Sequence, residues 1–119
     1  KLAESLELAK RELDYRKDIY AYDLLGWSLY KNDKLEEARD AIEKALTLGT
    51  QDAKLFFHAG MIYHRLAESE KAKQYLAKAI ATNPYFHILY AEIAQKTLKQ
   101  LEQPMARVGM GPRSSGRDE

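Results

Sequence analysis

The chain has no cysteine among its 119 residues. Disulfides and thiolate metal sites are therefore excluded, while the redox compartment stays open, since cysteine-free proteins occur on both sides of a membrane. Proline is scarce, with three residues, and glycine little commoner, with six. Only Gly26 and Gly60 fall inside helical patterns, so little interrupts a helix. No apolar run approaches the ~18 residues that a membrane span needs, and no leader-like pattern opens the chain. Lys1 already stands in an amphipathic pattern, which reads as a piece of a longer protein. An excess of one charge is missing too. With 19 basic and 18 acidic residues, the formal net charge is +1. No broad field recruits nucleic acid or an anionic membrane, so neither is expected as a partner.

What is present favours helices. The chain is 45% hydrophobic and 31% charged, a composition suited to one helical domain. Residues 1–15 place Leu2, Leu6, Ala9 and Leu13 on one stripe, which predicts an amphipathic helix. Asp18 is placed to cap a second helix over 19–31. That helix has two apolar faces, one with Tyr22, Leu25, Gly26 and Leu29, the other with Tyr20, Leu24, Trp27 and Tyr30. Asp33, followed by Glu36, reads as a capping-box-like start to a third helix over 35–48. Gly49 stands where a left-handed C-cap belongs. Asp52 caps a fourth helix over 53–66, again with two faces: Phe56, Ala59, Gly60 and Tyr63, then Phe57, Met61 and His64. A fifth helix over 69–82 stops at Asn83-Pro84. A sixth is expected over 86–102, ended by Gln103-Pro104, and the polar stretch 104–119 is expected to be disordered.

The middle of the chain is written twice. Leu25-Gly26, Ala38, Ile42 and Ala45 recur 34 residues later as Ala59-Gly60, Ala72, Leu76 and Ala79. A fixed period of this size marks a stacked repeat array. Gly26 and Gly60 would let the two helices of a repeat approach closely, with Ala38 and Ala72 as the small residues they meet.

These residues resemble the tetratricopeptide repeat, a helix–turn–helix of 34 residues. Counted from Ile19, Ala53 and His87, the aromatic at position four is Tyr22, Phe56 and Tyr90. The pair at seven and eight is Leu25-Gly26, Ala59-Gly60 and Ile93-Ala94. The closing proline is Pro84 in the second repeat. In the first it is Thr50, a departure expected to loosen that turn. The resemblance implies an all-α fold, about six helices in antiparallel pairs stacked as a short right-handed solenoid. The division expected is the second helix of a preceding repeat over 1–18, repeats over 19–52 and 53–86, a capping helix over 87–103, and the tail. In this family the first helices line a concave groove that binds a protein or peptide segment. The equivalent places are Tyr20, Asp23, Leu24, Trp27, Tyr30 and Lys31 in the first repeat, and Lys54, Phe57, His58, Met61, His64 and Arg65 in the second. Ile88, Ala91, Glu92, Gln95 and Lys99 follow in the third. The surplus aromatics around Trp27, Phe57 and Met61 suit an apolar or amphipathic segment. The alternative is that these side chains pack within a longer solenoid or under a second copy of the chain.

Some members of this family grip a C-terminal carboxylate with Lys and Asn at positions five and nine. Asp23 and Trp27 occupy those places and His58 stands where a second Asn belongs, so that clamp is not expected. His58 and His64 lie six apart, about 240° around a helix, and do not chelate one metal. No cofactor or metal is implied. Without cysteine, a Gly-rich phosphate loop or a spaced Ser-His-Asp set, no catalytic function is expected. Arg107, Arg113 and Arg117 in the tail are offset by Asp118 and Glu119 and read as a solvated end.

Overall fold

The structure is a computed structural model and describes residues 1–85 and 87–102. Six helices follow in order: α1 (Leu2–Tyr15), α2 (Ile19–Lys31), α3 (Leu35–Thr47), α4 (Ala53–Arg65), α5 (Ser69–Thr82) and α6 (Ile88–Leu101). Most bounds lie within a residue or two of those the periodicity predicts. Phe86 and the expected disordered tail lie outside the described residues.

Local chemistry sets these bounds. Asp18 Oδ1 accepts a hydrogen bond from the Ala21 N–H at 2.9 Å, and Asp52 Oδ1 one from the Lys54 N–H at 2.9 Å. Each satisfies a donor that the first turn leaves unpaired. Gly49 closes α3 with φ +82, the left-handed conformation glycine adopts at least cost. The turn at Thr50, expected to be loose, is stitched instead: the Thr50 hydroxyl accepts from the Asp52 N–H at 3.0 Å.

Asp33 does not cap α3. Its backbone is left-handed, with φ 62, the helix start falls at Lys34, and no side chain caps it. The Asp33 N–H bonds to the Tyr30 carbonyl, and the Lys34 N–H to the Leu29 carbonyl. That pair of bonds is a Schellman closure of α2. The same closure recurs after α4, where Ala67 has φ 62 and the Ala67 and Glu68 N–H groups reach the His64 and Tyr63 carbonyls.

The helices pack in sequence. Each touches the next, and the closest pairs are α2 with α3 and α4 with α5. On one side α2 also touches α4 and α4 touches α6, whereas the backbones of α1, α3 and α5 stay farther from one another. The stack therefore has an inner wall of α2, α4 and α6 and an outer wall of α1, α3 and α5. The core runs between the walls. One cluster holds Leu6, Leu29, Ile42, Leu55, Ile62 and Tyr63, and a second holds Phe56, Phe57, Leu76, Ala79 and Ala94. Leu46, Tyr75 and Leu101 pack on both, making the core continuous. Each large side chain so buried contributes about 1.5–3 kcal/mol.

The glycines do bring the paired helices together, Gly26 onto Ala38 as expected and onto Ile42, but Gly60 onto a different neighbour. A Cβ on Gly60 would lie 2.6 Å from both Cγ and Cδ2 of Leu76. A Cβ on Gly26 would lie 3.4 Å from the Ile42 N–H nitrogen and 3.5 Å from the Ala38 carbonyl. The bulky residue one turn beyond the small one, not Ala72, faces Gly60. The second repeat is the tighter of the two.

Candidate partner-binding groove

The inner wall carries a chain of stacked rings. Trp27 stacks on Tyr30 at 4.5 Å and on His58 at 4.0 Å. Phe57 stacks on Tyr90 at 4.8 Å, and Trp27 meets Tyr90 edge-on at 6.3 Å. His87 continues the stack on Tyr90 at 4.2 Å, and its Nδ1 accepts the Tyr90 N–H that opens α6. The spacing follows from the repeat: helix positions that point inward on α2 and α4 bring rings to within stacking distance across the α2–α4 contact. Such pairs add ~0.5–1.5 kcal/mol each beyond their buried area.

Polar groups lock both ends of this stack. His58 Nδ1 lies 2.7 Å from Asp23 Oδ1, with both side chains buried. The imidazole N–H donates and the carboxylate accepts, so each satisfies the other. At the other end the Arg65 guanidinium lies 5.3 Å over the Tyr30 ring and its Nη2 donates to Asp33 Oδ1 at 2.6 Å. His64, half-buried beside Arg65, is held below the usual imidazole range, first by burial and then by the neighbouring cation.

Against this rigid backing lies a trough of about 330 Å³. Tyr20, Leu24, Trp27 and Tyr90 supply its apolar surface, and Lys31 and Lys54 its cations. Tyr20 is 66% exposed and Leu24 48%. Of the twelve groove residues expected in the first two repeats, the structure brings together Tyr20, Asp23, Leu24, Trp27, Lys31, Lys54 and His58. Tyr30, Phe57, Met61, His64 and Arg65 do not line the trough. Phe57 is buried, at 2%, beneath Trp27 and Tyr90, and belongs to the core. On α6 Ala91 is buried, Glu92, Gln95 and Lys99 are exposed, and none of these four lines the trough. The side chain of Ile88 lies outside the described residues.

Tyr90 and Asp52 line the trough without having been expected there. Tyr90 occupies the position-four aromatic place, which is core in the second repeat, where Phe56 is 2% exposed. Asp52 is a capping residue, and a cap necessarily sits at the mouth of a groove formed by helix starts. A larger hollow of about 500 Å³ opens on the outer wall. Its central polar group is already satisfied, since the Tyr63 hydroxyl donates to Glu43 Oε2 at 2.7 Å. Burial, then that bond, raises the Tyr63 phenol well above its ordinary range. Among the described residues no cluster of three or more His, Asp or Glu side chains could hold a metal, and no helix is long and apolar enough to cross a membrane.

Comparison with known proteins agrees with the repeat architecture. The tetratricopeptide-repeat profile matches residues 19–52 and, in a second form, residues 53–86. The chain belongs to the tetratricopeptide-repeat family. It is also similar to the Cell division cycle protein 27 homolog of Caenorhabditis elegans, with 28% identity over 82 residues. That match takes in 68% of this chain but 10% of the relative, so the chain spans about a tenth of that protein's length. Repeats of this family generally mediate protein–protein interaction, and the family is of a non-catalytic scaffold type.

Proposed function

We propose that this chain is an interaction scaffold that holds a partner segment in the trough between the inner faces of α2 and α4. One observation carries the reading. Tyr20 and Leu24 stand exposed beside a half-buried Trp27, over a backing that stacking and the Asp23–His58 bond hold in place. A rigid apolar platform with open side chains at its lip pays little ordering cost when it binds. The segment read as occupant is extended or helical, with at least one bulky apolar side chain. Peptides selected on the chain from a random library supply the assay. Their affinity for the Tyr20→Ala/Leu24→Ala variant should fall by about tenfold or more, with an unchanged thermal melt. Equal affinity in the two proteins refutes the trough as the binding surface.

A second reading, that these repeats are one section of a longer solenoid or of a self-associating array, has its own observation. Leu89 is 55% exposed, yet the equivalent places in the first two repeats, Ala21 and Leu55, are 1% and 0% exposed. A further helix packed on α6 would cover it. Sedimentation separates the two: a monomer with an open trough fits the first, and a dimer that fails to bind the selected peptides fits the second.

A further inference from the structure

Resting on the trough reading, we infer that the segment it accepts is acidic, with carboxylates on both sides of one bulky apolar side chain. The charges of the inner wall decide this. Arg65 is committed to Asp33, and the Asp23 carboxylate is committed to His58. Asp52, the remaining acid at the rim, turns an oxygen to the Lys54 N–H at the start of α4. Lys31 and Lys54 are both exposed, both line the trough, and neither joins an ion pair among the described residues. Both carboxylates of the lining thus already accept hydrogen bonds, and the two ammonium groups are the lining charges left without a partner. Two unpartnered cations select by complementarity more than by raw attraction.

The helix positions from which the two lysines stem set a spacing. Lys31 ends α2, whereas Lys54 is the second residue of α4. Two antiparallel turns make α2 and α4 run the same way, so the two lysines stem from opposite ends of the trough. Eleven helical positions separate their places in the repeat, roughly 16 Å along the helix direction at 1.5 Å per residue. About five extended residues cover that distance. An apolar side chain midway lies level with Leu24 and Trp27, while acidic residues flanking it reach the lysines. This arrangement differs from a single clamped terminal carboxylate, because the place where a clamp needs a cation holds Asp23, already bonded to His58.

The test is a random library of peptides about seven residues long, selected in parallel on the wild-type chain and on Lys31→Glu/Lys54→Glu. Both lysines are exposed, and circular dichroism confirms that the variant is folded. Wild-type selections should be enriched in Asp and Glu around a central Leu, Phe or Trp. Synthetic peptides from that pool should bind the variant at least about tenfold more weakly and lose affinity as salt is raised. Wild-type selections without acidic enrichment, or acidic peptides that bind the variant equally well, overturn the charge inference. In that case the trough reading survives if the same peptides still lose affinity for Tyr20→Ala/Leu24→Ala. A library that yields no binder, or binders indifferent to both variants, overturns the two together.

Discussion

Replacing Gly60 by alanine should destabilise the protein, whereas the same replacement at Gly26 should stabilise it. Both glycines lie inside helices, where alanine is intrinsically favoured by about 0.5–1 kcal/mol. They differ in what a methyl group meets. At Gly26 the nearest atoms lie at 3.4 and 3.5 Å, ordinary contact distances, so the helix preference is realised almost in full. At Gly60 two side-chain carbons of Leu76 stand at 2.6 Å and its backbone nitrogen at 3.1 Å. Leu76 is 0% exposed, so its side chain cannot swing out to solvent. Forcing a methyl group into such a contact costs about 1–3 kcal/mol. Set against the preference for alanine, the net loss at Gly60 is up to about 2.5 kcal/mol, and the gap between the variants, which is the contact cost itself, is about 1–3 kcal/mol. Urea unfolding followed by far-ultraviolet circular dichroism measures both. Leu76→Val supplies the decisive control. Shortening Leu76 should cost less in the Gly60→Ala background than alone, a favourable coupling of the kind contacting residues show. Gly60→Ala as stable as Gly26→Ala, or strict additivity with Leu76→Val, would refute the close-approach argument.

Other perturbations follow from single contacts. Ala67→Gly should stabilise by roughly 1 kcal/mol in the same urea assay, because alanine holds a left-handed backbone there at φ 62; no gain would mean that the turn relaxes. His58→Ala should cost about 3 kcal/mol or more, since it strips a buried Asp23 carboxylate of its donor and Trp27 of a stacking partner; Asp23→Asn, which keeps an acceptor, should cost much less. His64 has a folded-state pKa depressed by burial, so its neutral form contributes stability above the ordinary imidazole pKa. That contribution is lost as pH falls through the depressed value. Melting temperatures should therefore drop less on acidification from pH 7 to about 5 in His64→Gln than in wild type, and parallel curves would count against that assignment.

The helices were legible because their signals are local. Apolar spacing marked all six, and Asp18, Asp52 and Gly49 sit at the ends where their chemistry places them. Asp33 misled because an acid three residues before Glu36 looks like a capping box. The Schellman closure of α2 claims that residue first, and its equivalent one repeat later is Ala67, which has no side chain able to cap. Phe57 shows the other limit. Its angular place on α4 matches that of residues lining a groove, but α4 is flanked by both α2 and α6, and Tyr90 closes over the ring. Inner positions on α2 have α4 on one side alone, which leaves Tyr20 and Leu24 open. Position within the stack, not the arc on one helix, decides exposure, and helix periodicity carries no such information. The Asp23–His58 bond joins residues 35 apart in sequence, and neither residue type announces a partner at that distance.

Trp27 is the sole tryptophan of the chain, lies half-buried, and lines the trough, so its fluorescence reports directly on the proposed site. Acrylamide quenching of Trp27, measured with and without a saturating library-selected peptide, tests the central claim. Bound peptide should shield the indole, lowering the quenching constant and shifting the emission to the blue. Tight binding with unchanged quenching and emission would show that the partner docks elsewhere and would contradict the account.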